Sequence, residues 1–221
     1  MKSSVFNSDL YRSKEKEIIR NLIAHSHPRP YHCLTFGGRY SKDAKLLTGM
    51  FPHCSVRVIE RDKKVYNKIC REVKEWPSIF PANQSFSQYV KNMMKDEAPF
   101  DIVFLDYQGI ISISVEQNIE TMFKKCRFKK QSIIALTLSK SRDSYSHVKK
   151  TYCFRNVCVN DYELYKQDRG QAIATTVIAL AKKHGYILKE KRFKELENRT
   201  YNNTYKERRG SPMMFFMFKV V

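Results

Sequence analysis

The sequence predicts an α/β fold: a seven-stranded, mostly parallel sheet with helices on both faces and a C-terminal strand that enters antiparallel. Three observations carry that expectation. Short apolar runs alternate with stretches whose apolar residues recur at helical spacing. One of these runs, Ile102-Val103-Phe104-Leu105, is apolar on both faces, as in a strand sandwiched between helical layers. The last two strand candidates follow one another without a helix, which breaks the alternation and sends the final strand back antiparallel.

The elements follow in order. Residues 1–31 form a helical lead-in, with Ser13 as a candidate cap and Ile18, Ile19, Leu22 and Ile23 as its apolar stripe; Pro28 and Pro30 end it. Residues 32–221 form the α/β domain. His32-Cys33-Leu34-Thr35-Phe36 is the first strand, broken by Gly37-Gly38. Ser41 is the candidate N-cap of the next helix, with Asp43 in its first turn and Ala44, Leu47, Met50 and Phe51 on its face. Val56–Ile59 is the second strand, ending at Glu60-Arg61-Asp62, and Val65, Ile69 and Val73 lie on one face of the helix behind it. Pro77 and Pro81 punctuate that helix's end. A weak third strand lies near Ile79–Gln84, and Ser87–Met94 reads as a helix. Asp101–Leu105 is the fourth strand, followed by a helix over Val115–Cys126. Ser132–Leu138 is the fifth. Ser139–Gln167 is polar, basic and aromatic and has no clear period. Gly170–His184 is a helix with Gly185 as its C′ residue. Strands at Tyr186–Leu196 and Met213–Phe218 close the chain, joined by the basic, Asn-rich link Asn198–Ser211.

Composition narrows the partners. The 221 residues suffice for one large α/β domain and are short for two. Forty-one Lys and Arg against 22 Asp and Glu leave a formal charge of +19. Such a bias points to a polyanion, with nucleic acid ahead of an anionic membrane surface. No run approaches the length of a membrane-spanning helix, and Met1-Lys2-Ser3-Ser4 has no signal-peptide core. The six cysteines have no CxxC spacing, which argues against a zinc site, and apolar contexts such as those of Cys33 and Cys70 suit reduced thiols in a cytoplasmic protein.

Three polar features fall at successive strand ends, where open α/β sheets bind ligands. Phe36-Gly37-Gly38 follows the first strand, and glycines let a backbone approach a ligand closely. Glu60, with Arg61 beside it, ends the second, where a carboxylate can accept both hydroxyl protons of a ribose. Asp106-Tyr107-Gln108-Gly109 follows the fourth.

With these residues in this order, residues 32–221 resemble the class I S-adenosylmethionine-dependent methyltransferases. Thr35-Phe36-Gly37-Gly38 matches the family's glycine-rich first motif, Glu60 the ribose-holding acid, and Asp106-Tyr107-Gln108-Gly109 the fourth motif. Leu136-Thr137-Leu138-Ser139 matches the fifth strand and its polar end. The resemblance implies S-adenosyl-L-methionine as cofactor, bound by Phe36, Gly37, Gly38, Glu60, Arg61, Ser85, Phe86 and Asp106. Asp106 and Tyr107 are its implied catalytic residues. The chain departs from the family's fuller patterns. Its first motif is Gly-Gly rather than G-x-G-x-G, Ser85 stands where members often carry an adenine-binding acid, and the fourth motif has no proline.

Asp106 could accept a hydrogen bond from an exocyclic amine and help remove its proton, and Tyr107 could stack on a base. The expected activity is methylation of nucleic acid, RNA ahead of DNA. The alternatives are a nucleic-acid-binding protein that keeps the fold without the chemistry, and an enzyme for small molecules or proteins. Lys124–Lys130 and the basic positions from Lys189 to Arg209 are candidate phosphate contacts. Tyr145, Tyr152, Phe154 and Tyr162 interleave with Lys140, Arg142, Lys149, Lys150 and Arg155, a mixture suited to single strands or flipped bases. The compact, basic, cysteine-containing chain also has a loose look of virus- or phage-encoded methyltransferase-like proteins, which would place it in a host cytoplasm.

Overall fold

The computed structural model describes residues 14–38, 40–93, 97–107, 109–139, 145–191, 204–206 and 212–221. Ser13, Met94, Gln108, Lys140, Arg142 and most of the stretch 192–211, all named above, lie outside the described residues.

The strands are β1 (His32–Phe36), β2 (Ser55–Glu60), β3 (Ile79–Asn83), β4 (Phe100–Asp106), β5 (Phe128–Ser139), β6 (Leu188–Lys191), β7 (Thr204–Lys206) and β8 (Pro212–Val220). They form one sheet in the order β3-β2-β1-β4-β5-β8-β6, with β7 paired only to the start of β8. The pairs β3–β2, β2–β1, β1–β4 and β4–β5 are parallel. Strand β8 slots antiparallel between β5 and β6, the arrangement expected from two consecutive strands without a helix.

Helices α1 (Lys14–His25), α2 (Lys42–Met50) and α3 (Lys63–Glu72) cover one face. Their Ile19, Ile23, Ala44, Leu47 and Ile69 pack on Val56, Val58, Ile102, Phe104, Ile133 and Phe215. Helices α4 (Phe86–Asn92), α5 (Ile113–Lys125) and α8 (Arg169–Lys183) cover the other. There Val90, Ile119, Phe123 and Val177 meet Val103, Leu105, Ile134, Leu136 and Phe216. Strand β4 alternates between the two layers and is buried along both faces, with only Asp106 partly exposed, which is why its sequence shows no period of two.

The local signals differ in detail from expectation. Ser41 does occupy the N-cap position of α2, but in a left-handed conformation (φ 48°) and without a side-chain cap bond. Asp62 caps α3 instead by the usual route, accepting from the amides of Lys64 and Val65. Pro81 does not end a helix; it lies in β3, an edge strand where a missing N–H costs no ladder bond. Strand β5 starts at Phe128, four residues earlier than its apolar run, and a register irregularity at Phe100/Ile102 and a positive φ of 77° at Gln131 absorb the mismatch. The basic link before the last strand contributes β7.

The periodless segment after β5 folds into short pieces: α6 (Tyr145–Val148), one turn of π-helix (Cys153–Val157) and α7 (Tyr162–Gln167). Tertiary contacts hold them. The buried carboxylate of Glu116 on α5 accepts from the amides of Tyr152 and Cys153 at 2.7 and 2.9 Å, which satisfies donors that a short helix leaves open. Rings of Tyr145, Phe154, Tyr162 and Tyr165 pack against one another above it.

Because β8 bridges β5 and β6, its core residues should be stability-critical. Phe216→Ala, at a side chain 2% exposed, is expected to cost about 3–5 kcal/mol, read from urea denaturation.

Candidate functional site

Parallel pairing aligns the carboxyl ends of the first four strands. Phe36 pairs with Ile59, Glu60 with Asn83, and Asp106 with Thr137. The predicted residues Phe36, Gly37, Gly38, Glu60, Arg61, Ser85, Phe86, Asp106 and Tyr107 thereby come to one edge of the sheet, but they do different things there.

Gly37 and Glu60 form a close pair. The Gly37 amide donates to the Ile59 carbonyl at 2.7 Å. A Cβ on Gly37 would fall 2.7 Å from Ile69 Cδ1, 2.8 Å from Glu60 Cβ and 3.2 Å from Glu60 Oε2. The glycine is thus required by close approach, and its missing side chain leaves the Glu60 carboxylate facing open backbone. Glu60 Oε1 accepts from the Asp62 amide at 2.8 Å. Burial pushes its pKa above the usual carboxylate range, against the backbone hydrogen bonds of Asp62 and Arg61. Asn83 ties the strand ends together by donating to the carbonyls of Glu60 and Arg61. The Arg61 side chain is exposed, and Gly38 accepts from the Ser41 amide at 2.9 Å.

An aromatic set lines the opposite side of this edge. The Phe36 ring meets Tyr107 edge-on at 5.0 Å and Phe86 at 5.4 Å. Phe86 is 6% exposed and belongs to the core, so it supports Phe36 rather than offering an open face. Ser85 is engaged as a helix cap: its hydroxyl accepts from the Gln88 amide and its backbone amide donates to Gln88 Oε1, the two halves of a capping box. The Tyr107 hydroxyl turns towards Asn118 of α5 outside hydrogen-bond geometry, and burial pushes its pKa up.

Asp106 points the other way, under α1. Lys16 Nζ donates to its Oδ2 at 2.8 Å, with the two side chains only 8% and 18% exposed. Thr137 Oγ1 donates a hydrogen bond to its Oδ1. One turn further along α1, Arg20 Nε donates to Asp43 Oδ1 at 2.7 Å. The five side chains, with Ile19 and Phe104, line a small pocket. Burial acts to raise the Asp106 pKa, but Lys16, the hydrogen bonds from Lys16 and Thr137, and Arg20 outweigh it and hold the carboxyl below the usual range. For Asp43 burial wins, and its pKa is raised despite Arg20. Asp106 is therefore a fixed anion with both oxygens engaged, and its geometry does not suit the proton-removing role expected of it. Lys16 and Arg20 were not among the expected site residues. Their signal is that positions 16 and 20 share a helical face with the buried Ile19 and Ile23.

Within the described residues no cluster of three or more His, Cys, Asp or Glu is arranged to hold a metal.

No protein-family model matches the chain, and no curated protein matches it. Solved structures do match its fold. An O-methyltransferase from Bacillus cereus, in complex with S-adenosylhomocysteine, aligns with a TM-score of 0.60 at 12% identity, covering 95% of this chain and 82% of that one. A candidate rRNA-methylase from Clostridium thermocellum aligns with a TM-score of 0.57 at 7% identity, over 95% and 98%. The N-methyltransferase NodS from Bradyrhizobium japonicum WM9 aligns with a TM-score of 0.53 at 14% identity, over 94% and 95%. The chain has the fold of the class I methyltransferases. At such identities the comparison speaks to fold alone. None of the three is viral, so the viral likeness rests only on the look of the sequence.

Two substitutions test the site's construction. Gly37→Ala is expected to lower stability by about 1–3 kcal/mol through overpacking against Ile69 and Glu60, read from thermal melting. Lys16→Met should cost about 3 kcal/mol near neutral pH by stranding the Asp106 carboxylate. In the wild type the depressed Asp106 pKa contributes stability above its unfolded value of about 3.9, lost as pH falls through the folded value. In the variant burial dominates, the pKa rises, and acidification relieves the buried charge. The gap in unfolding free energy should therefore shrink as pH falls; a gap independent of pH would contradict the pairing.

Proposed function

We propose that this protein is an S-adenosylmethionine-dependent methyltransferase acting on nucleic acid, with RNA favoured over DNA. The observation that carries the reading is the meeting of Gly37-Gly38, Glu60 and the Phe36–Tyr107 aromatic pair at the aligned ends of β1, β2 and β4, in a methyltransferase fold. The net charge of +19 supports a polyanionic substrate.

The cofactor fits the residues present. Glu60 supplies a carboxylate with Oε2 beside the side-chain-free Gly37, suited to accepting the two hydroxyl protons of a ribose. Gly37 and Gly38 permit close backbone approach. The cofactor, when bound, supplies an activated methyl on a sulfonium, so the protein's part is chiefly orientation. Tyr107 and Phe36 present apolar rings at the end of β4 and β1 against which a planar base can pack. The Lys16–Asp106–Thr137 set fixes the same strand end, and an ionised, fully engaged Asp106 takes no proton near neutral pH. Proton loss from a methylated amine then falls to solvent or to the substrate itself. The six free cysteines agree with action in a reducing compartment such as the cytoplasm, and no helix among the described residues is long and apolar enough to cross a membrane.

A second reading, a nucleic-acid-binding protein that keeps the fold without the chemistry, is favoured by the engagement of Asp106 and by Ser85's commitment to a helix cap. Methyl transfer separates the two. Labelled S-adenosylmethionine is expected to leave its label on bulk RNA, with loss on nuclease treatment. Glu60→Ala is expected to weaken S-adenosylhomocysteine binding at least tenfold by calorimetry, the equivalent of about 1.4 kcal/mol. Absence of both label transfer and binding heat would leave the inactive reading standing.

A further inference from the structure

One dense basic stretch of the described protein lies away from the proposed cleft. Lys124, Lys125, Arg127, Lys129 and Lys130 are all exposed and fall within seven residues. They occupy the end of α5 and the beginning of β5. That is the amino edge of the parallel strands, opposite to Glu60 and Tyr107. The seven residues of β4 separate the two edges, a span of roughly 20 Å.

The nearby carboxylates offset this edge only at Lys129. Asp101 accepts from the amides of Tyr31 and His32 and lies 3.9 Å from Lys129. Glu97 accepts from the Tyr89 hydroxyl, and Glu120 pairs with Lys183 and His184. No described carboxylate lies within ion-pair distance of Lys124, Lys125, Arg127 or Lys130.

A second feature, on different strands, points the same way. Lys189 of β6 and Lys219 of β8 are direct cross-strand partners, and Lys219 in turn pairs with Ile133 of β5. Like charges set opposite each other in an antiparallel pair are destabilising. Just beyond α1, burial lowers the pKa of the His27 ring; Asp101 opposes that shift, while Lys219 and Lys129 reinforce it, which places both lysines near one another. The same edge thus gathers cations from the α5–β5 turn, β6 and β8, and bears a repulsion that an anion bound there would relieve.

We propose that this amino edge is a second, non-catalytic surface that holds the phosphodiester backbone of an extended nucleic acid. It rests on the nucleic-acid half of the reading above and not on the cofactor cleft. The contacts are with phosphate rather than base: the one ring in the stretch, Phe128, is packed against Phe123 and Tyr186 and is not free to stack. Binding here is therefore insensitive to sequence and sensitive to salt. A mononucleotide cannot reach both edges, so the partner is a polymer, and a substrate nucleotide in the cleft would belong to a strand anchored on the far side of the sheet. The inward packing of Phe128 also leaves the basic stretch without an apolar wedge for a bilayer, which favours nucleic acid over a membrane surface.

The test is fluorescence anisotropy of labelled single-stranded RNAs of unrelated sequence over a salt series. It compares wild type, Lys124→Gln/Lys125→Gln/Lys130→Gln, Lys219→Gln and Glu60→Ala. The triple variant is expected to bind every RNA more weakly and to flatten the log–log salt dependence by about 0.7 for each phosphate no longer neutralised. Its S-adenosylhomocysteine binding should match wild type. Lys219→Gln should also bind RNA more weakly while melting no lower than wild type, an effect that damage to the fold would not give. Glu60→Ala should keep wild-type RNA affinity. Unchanged RNA affinity and salt slope in the triple variant would overturn the proposal. So would loss of RNA binding in Glu60→Ala, or binding of phosphatidylserine vesicles in place of RNA. If wild type binds RNA through this edge but gives no heat with S-adenosylhomocysteine, the cofactor reading fails and this one stands.

Discussion

Parallel pairing of β3, β2, β1, β4 and β5 is the constraint on which the rest of this molecule depends. Parallel strands must begin on one edge and end on the other, so the residues that follow each strand are collected in space although they lie far apart in the chain. Gly37, Glu60, Asn83 and Asp106 share an edge for that reason alone. The same rule gathers the opposite ends, which puts the Lys124–Lys130 stretch on the far side of the sheet. The two functional surfaces proposed for this protein are thus consequences of a single topological fact, and the antiparallel β8 extends the basic one by bringing Lys219 beside Lys189.

The candidate site is built from charges that the core must accommodate. Asp106 ends a strand buried on both faces, and a carboxylate there is costly without partners. Lys16 and Thr137 supply them from α1 and β5, and Arg20 does the same for Asp43 of α2. Helix α1 is therefore held to the sheet by the Lys16–Asp106 pair, to α2 by the Arg20–Asp43 pair, and to the core by Ile19, Ile23 and Ala24 along its buried face. This arrangement also reassigns Asp106 chemically, from an expected proton acceptor to a fixed anion that sets the end of β4.

What could be read from the sequence follows the range of the forces involved. Strands β1, β2 and β4 and helices α3, α5 and α8 announce themselves through apolar period and local caps, and their site residues Glu60, Gly37 and Tyr107 lie next to those signals. The π-helical turn and α6 do not, because Glu116 of α5 holds the amides of Tyr152 and Cys153 and the rings of Tyr145 and Phe154 join an aromatic cluster with Tyr162 and Tyr165; α7 does carry a local cap in Asp161. The start of β5 is hidden by its lysines, which belong to a surface rather than to a core. Strand β7 is three residues long and exists through pairing with β8. Lys16 looks like any solvated lysine until the fold places it against Asp106. Ser85 illustrates the reverse case: its place after β3 suggested a ligand contact, while its spacing to Gln88 spelled the capping box that the structure contains.

The central claim is that the carboxyl edge between β1 and β2 is a nucleoside-binding cleft. A crystal of the protein grown with S-adenosylhomocysteine tests it most directly. The account predicts density for the ribose against the Glu60 carboxylate, with the ligand backbone passing over Gly37 and Gly38. Density at another edge of the sheet, or an empty Glu60 edge at saturating ligand, would contradict it.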